Sequence, residues 1–181
     1  MNLAQRLLIG TDLRATDPTL VEALVACGEG MRAGAGTVLL TEGRRADTCF
    51  LLVEGGAELV HERPSGAVRL RVVAPGEMFG HECALRLVPQ RWSAWLTAPS
   101  TLVRYERAAL EAVLRGGGGL ASVLLGRMVV SAARQLRGVN LRLSDTMEVE
   151  RAVSVTPPRV TRVEVVSSAA DEARHWRRPG R

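Results

Sequence analysis

Between residues 36 and 106 the chain divides into six short apolar runs separated by turn signals. That spacing limits its possible folds more than any other feature. The runs are GTVLL (36–40), TCFLLV (48–53), GAELVHE (56–62), AVRLRVV (67–73), WSAWLTA (92–98) and TLVRYE (101–106). Glu54-Gly55-Gly56 separates two of them, Pro64-Ser65-Gly66 marks a hairpin tip, and Pro75-Gly76 closes another run. Glycine and proline at these places supply the backbone angles that tight turns need. Strands this short and this closely spaced leave no room for crossover helices, so the pattern predicts an antiparallel sandwich or barrel.

Helical patterns flank the β-rich region. Residues 17–27, DPTLVEALVAC, begin with an Asp-Pro pair and continue with apolar residues at helical spacing, so Asp17 is the expected N-cap. A second helix is predicted over 107–114, RAALEAVL, and is broken by Gly116 to Gly119, a run that acts as a flexible or sharply bent joint. From Leu120 to about Met147 proline is absent, and Leu125, Val129, Ala132, Leu136, Val139 and Leu143 recur at alternating steps of four and three. Such a narrow stripe forms a heptad seam, suited either to packing on its own domain or to a two-stranded homodimer helix. The expected domains are a β-rich unit at 17–115, a hinge and long helix at 116–147, and an extended or disordered tail at 148–181. Within the tail, VSVTPPRVTRVEVV reads as one strand or an extended segment.

Composition narrows the function classes. The chain has 181 residues, is 46% hydrophobic and carries a net charge of +5, all 24 basic residues being arginine. This charge suits an anionic partner without choosing between nucleotide, nucleic acid and acidic protein. Cys27, Cys49 and Cys83 have no metal-ligand spacing. MNLAQRLLIG is too short for a membrane span, so no membrane association and a reducing cytoplasm are expected. No nucleophile–base set or metal cluster is visible, and GGGG at 116–119 lacks the Lys-Ser/Thr of a nucleotide-triphosphate loop, so the chain is not expected to be an enzyme.

The chemistry concentrates in residues 79–98, FGHECALRLVPQRWSAWLTA. A glycine-flanked turn, a carboxylate and a guanidinium together can hold a sugar phosphate. Backbone amides and Arg91 would face the anion, and Glu82 would accept from a ribose hydroxyl. This segment resembles the phosphate-binding cassette of the cyclic-nucleotide-binding domain family. The likeness extends upstream through Leu39-Leu40, Glu42-Gly43, Ala46, Phe50 to Val53 and Gly55, and through Pro75-Gly76 and Met78-Phe79-Gly80 into the cassette. It spans roughly residues 17–147. It implies a mainly β fold, a jelly-roll-like antiparallel β-roll with flanking helices and a long C-terminal helix. It also implies a cyclic nucleotide, cAMP or cGMP, as ligand and no separate cofactor. The residues it places at the nucleotide are Phe79, Gly80, His81, Glu82, Cys83, Ala84, Arg91, Trp92, Ser93 and Ala94.

Two positions depart from the family pattern. The ribose-binding Glu follows the Phe-Gly pair directly in the family, whereas here His81 intervenes before Glu82. The phosphate-binding Arg stands immediately before the small-Ala pair, whereas here Trp92 does and Arg91 is one place earlier. A bulge at each end would still bring Glu82 and Arg91 to one anion. Strict counting instead puts His81 and Trp92 in the pocket, because a one-residue slip in a strand reverses the facing of a side chain. Losing a charge-assisted contact to a buried phosphate costs about 2–3 kcal/mol, roughly a hundredfold in affinity.

Two functions follow. One is a regulatory sensor that binds a cyclic nucleotide or related anion and repositions the helices at 107–147. The other is a roll kept as an interaction or assembly module without a small ligand, partnering a second copy or another protein. The family's transcription factors carry a winged helix after the long helix. The 34 residues after Met147, interrupted by Pro157-Pro158, do not match one, so sequence-specific DNA binding is not expected.

Overall fold

The computed structural model describes residues 1–64, 66–146 and 163–165, with residues 83, 139–146 and 163–165 described through their backbone alone. Helix α1 (Leu3–Gly10), a 3-10 turn (Asp12–Ala15) and α2 (Pro18–Ala26) precede strands β1 (Glu29–Ala33), β2 (Val38–Leu40), β3 (Thr48–Glu54), β4 (Ala57–Arg63), β5 (Gly66–Val73) and β6 (Met78–Phe79). Helix α3 (His81–Arg86), β7 (Ser93–Leu96), β8 (Ser100–Glu106), α4 (Arg107–Gly116), α5 (Gly118–Thr146) and β9 (Val163–Val165) follow. The strands form two antiparallel sheets, ordered β6-β3-β8-β1-β9 and β2-β7-β4-β5. This is the expected β-roll with flanking helices and a long C-terminal helix.

Two apolar layers hold it together. Phe50, Leu52, Ala57, Leu59, Phe79, Trp92, Ala94, Leu96 and Leu102 fill the space between the sheets. On the other face of the five-stranded sheet, Cys49, Leu51, Val53, Val103 and Tyr105 pack under Leu7, Leu24, Leu110, Leu124 and Met128 of the helices. Strand β3 is therefore buried on both faces, which explains why CFLLV reads as a continuous apolar run without alternation. The Tyr105 hydroxyl donates to the Leu24 carbonyl at 3.1 Å and ties β8 to α2. As the N-cap of α2, Asp17 accepts from the Thr19 hydroxyl at 2.7 Å and from the Thr19 amide at 2.9 Å, and these hydrogen bonds hold its carboxyl below the usual range.

Helix α1 and strand β1 are among the elements absent from the sequence reading. Helix α1 starts with a reciprocal capping box between Asn2 and Gln5. Strand β1, EGMRA, contains glycine and charge and has little β-propensity of its own. It forms because β8 offers it a ladder and because Met31 and Ala33 reach the interior.

The glycine run behaves as a bent joint. α4 ends at Gly116, Gly117 and Gly118 take φ values of 67° and 75°, and α5 starts at once. One face of α5, Ala121, Leu124, Met128 and Ser131, packs on the roll. The heptad seam lies on another face, where Leu125, Val129 and Leu136 are exposed and Ala132 is half-buried. The expected seam positions Val139 and Leu143 have no described side chains, and the expected tail lies outside the described residues except for β9.

Candidate functional site

The cassette begins where Phe79 stacks on Phe50 inside the roll, with ring centroids 5.5 Å apart. Gly80 then turns the chain with φ 85°, and a side chain there would come within 2.8 Å of Leu40 Cδ1. That turn lets α3 leave the β6 strand directly. Ala84 packs beneath α3 with Cys49.

His81 is only 4% exposed. Its ring lies against the backbone of Met128 on α5, and Nδ1 is 3.6 Å from Glu82 Oε2. Burial holds its pKa below the ordinary histidine value, opposed by the Glu82 carboxylate and reinforced by Arg71. Among the described residues neither His81 Nδ1 nor Glu82 Oε2 has a hydrogen-bond partner. Glu82 also acts on Cys49, whose thiol is pushed well up mainly by burial. Glu82, half-buried, lies beside His81 in the first turn of α3, and Ala84 of the same helix packs on the helical side of the five-stranded sheet.

The second half of the cassette runs from an exposed loop into the layer between the sheets. The loop before β7 is pinned by Gly43 N to Gln90 O and Gln90 N to Arg44 O, both 2.8 Å, and by the bridge of Arg45 with Pro89. Beyond it Arg91 is exposed, whereas Trp92 is 3% exposed and belongs to the layer between the sheets. Alternation continues into β7. Ala94 points inward, and Ser93 Oγ accepts from the Glu42 amide at 2.9 Å and donates to Glu62. Glu42 in turn meets His61 Nδ1 at 2.7 Å. His81 and Glu82 therefore come together, Trp92 and Ala94 share the interior with Phe79, and Arg91 and Ser93 face away from it. Among the described residues no ion pair joins Arg91 to Glu82, and none of their His, Cys, Asp and Glu groups is arranged to hold a metal.

Beside the cassette lies a set of residues that the sequence reading missed. Glu77, 6% exposed, accepts from Arg71 on β5 and Arg134 on α5, and from the Ala74 amide at 3.3 Å. Arg71 Nη2 also donates to Ser131 Oγ at 3.2 Å, and Ser131 donates to the Met78 carbonyl. This network fastens α5 to β5 and β6. A carboxylate inside an apolar turn and a serine on the apolar face that carries Leu124 and Met128 were its visible traces. The pairings that join α5 to the roll, Arg134 with Glu77 and Ser131 with Met78, bridge 57 and 53 residues.

A closed roll, a short helix after a Phe-Gly turn and a long helix on the outside define a β-roll domain. The family comparison specifies it further: residues 31–116 match the family described as the cyclic nucleotide-binding domain. The fold is similar to a cyclic nucleotide-binding domain from Methylobacillus flagellatus, with a TM-score of 0.67 and 19% identity over 82% of this chain and 84% of that one. It is also similar to the catabolite activator protein of Thermus thermophilus, with a TM-score of 0.61 and 20% identity over 75% of this chain and 62% of that one. A third similar structure is the regulatory domain of Toxoplasma gondii PKA with cAMP, with a TM-score of 0.50 and 18% identity over 61% of this chain and 42% of that one. Comparison with curated protein sequences gives no match. Among the described residues no helix is long and apolar enough to cross a membrane.

Proposed function

We propose that this chain is a non-catalytic regulatory module that works without a cyclic nucleotide in its cassette, using the packed roll as a platform for α5. The observation that carries the reading is the indole of Trp92, buried between the sheets at the position where the family pattern has its phosphate-binding arginine, while Arg91 is exposed. An anion entering there would meet a desolvated apolar ring and no guanidinium. The partner is a second copy, docked through Leu125, Val129, Ala132 and Leu136 as a two-stranded seam. No DNA-binding role is assigned. Calorimetric titration with cAMP and cGMP, alongside light scattering, tests the reading. It expects no saturable heat from a dimeric protein; micromolar binding abolished by Arg91→Ala would overturn it.

A second reading, sensing of cAMP or cGMP, is favoured by one observation: Glu82 Oε2 is buried without a hydrogen-bond partner among the described residues, as a carboxylate awaiting a ribose hydroxyl would be. In that reading Glu82 binds the sugar, Arg91 must swing inward to reach the phosphate, and Trp92 must move out of the interior.

A further inference from the structure

A different part of the molecule offers an interaction surface. Strand β1 is hydrogen-bonded to β8 on one side and to β9 on the other, with Met31 opposite Val165, Arg32 opposite Glu164 and Ala33 opposite Val163. Met31 and Ala33 are buried and Arg32 is exposed. The edge therefore accepts a strand with apolar residues opposite Met31 and Ala33 and an acidic residue opposite Arg32. Val-Glu-Val at 163–165 has that pattern.

The edge continues into an open cavity of about 400 Å³ lined by Arg32, Ala33, Gly34, Glu54, Ser100 and Thr101, together with Pro99. Arg32 and Ala33, which line the cavity, are also paired with β9, so a strand added at this edge lies beside the cavity. Main-chain pairing beside a side-chain pocket is the general plan of strand-addition sites. Among the described residues the β9 ladder has three residue pairs, which makes β9 a short strand. Helix α5 ends at Thr146, and the 16 residues of 147–162 precede β9. Fully extended they span up to about 55 Å, enough to come back to this roll or to reach a neighbouring one.

We propose that the β1 edge is a strand-addition site that accepts the Val163–Val165 segment of a second copy in place of the chain's own. Exchange of an identical element preserves every pairing of the closed form while linking two chains. It covers an edge that would otherwise present unpaired amides and carbonyls. The inference stands independently of whether a nucleotide enters the cassette or α5 mediates a dimer.

Two full-length single variants, Arg32→Cys and Glu164→Cys, test it. Residues directly opposite in an antiparallel pair have Cβ atoms about 4.5–5.5 Å apart, close enough for a cross-link. One variant is isotopically labelled, the two are mixed under mild oxidation, and linked peptides are identified by mass spectrometry. The expected result is a 32–164 link between labelled and unlabelled chains, a link that neither variant alone can form. The double variant in a single chain serves as the folding and register control. A 32–164 link confined to single chains of the double variant would overturn the exchange. Absence of the link from every sample would overturn the site itself.

Discussion

The cassette and the adjoining β5–β6–α5 seam treat charge in opposite ways. The cassette buries an indole and leaves its nearest guanidinium, Arg91, in solvent. The seam buries a carboxylate, Glu77, and brings two guanidiniums to it from different elements. Where a ligand anion would organise the family's cassette, this chain supplies its own anion a few residues away and uses it to hold α5. The comparison teaches that attachment of the long helix to the roll is built from the chain itself. A bound nucleotide is then not needed to complete it.

Breaking the apolar half has the largest expected effect. Trp92→Ala leaves a cavity between the sheets and is expected to lower stability by about 3–5 kcal/mol, measured as a shifted denaturant midpoint. A loss below about 1 kcal/mol would mean that the indole is not part of the core. Breaking the polar half comes next. Glu77→Gln leaves Arg71, whose side chain is 9% exposed, without its countercharge. It should cost about 3 kcal/mol, at the lower end of the range for a broken buried pair, because Arg134 is half in solvent and rehydrates. Faster amide exchange in α5 around Ser131 would distinguish loss of the clamp from general destabilisation.

A smaller effect comes from His81, which touches both regions. Its pKa is lowered in the folded chain, so the unfolded chain binds more protons as pH falls through the ordinary value of 6.5. Stability is therefore complete above that value and declines below it until the folded-state pKa is reached. His81→Gln should flatten this decline in urea midpoints recorded between neutral and mildly acidic pH; an unchanged slope would assign it to other groups. Smallest is Arg91→Ala, an exposed change expected to move stability by no more than about 0.5 kcal/mol. A larger loss would place Arg91 in the interior after all.

Much of the fold could be read directly. β3, β4, β5 and β8 follow their apolar runs, and the turns at Gly55 and Gly76 fall where φ is positive. The two faces of α5 were also recoverable, since Leu124, Met128 and Ser131 keep the same three-and-four spacing as the seam beside them. What local pattern could not supply was direction. Whether Arg91 or Trp92 faces inward depends on a single-residue register, and register is set by the pairing of β7 with β2 and β4. The clamp was hidden for a related reason: nothing near Glu77 announces Arg134. β1 was missed because its strand character comes from its neighbours.

The central claim is that Trp92 occupies the interior and that a cyclic nucleotide does not displace it. Fluorine NMR of the protein labelled with 5-fluorotryptophan, its Trp92 signal assigned through Trp92→Phe, measures this directly during addition of cAMP and then cGMP. The account predicts a buried-type signal that neither nucleotide moves. A Trp92 signal that shifts saturably at micromolar nucleotide, and no longer does so in Arg91→Ala, would contradict it.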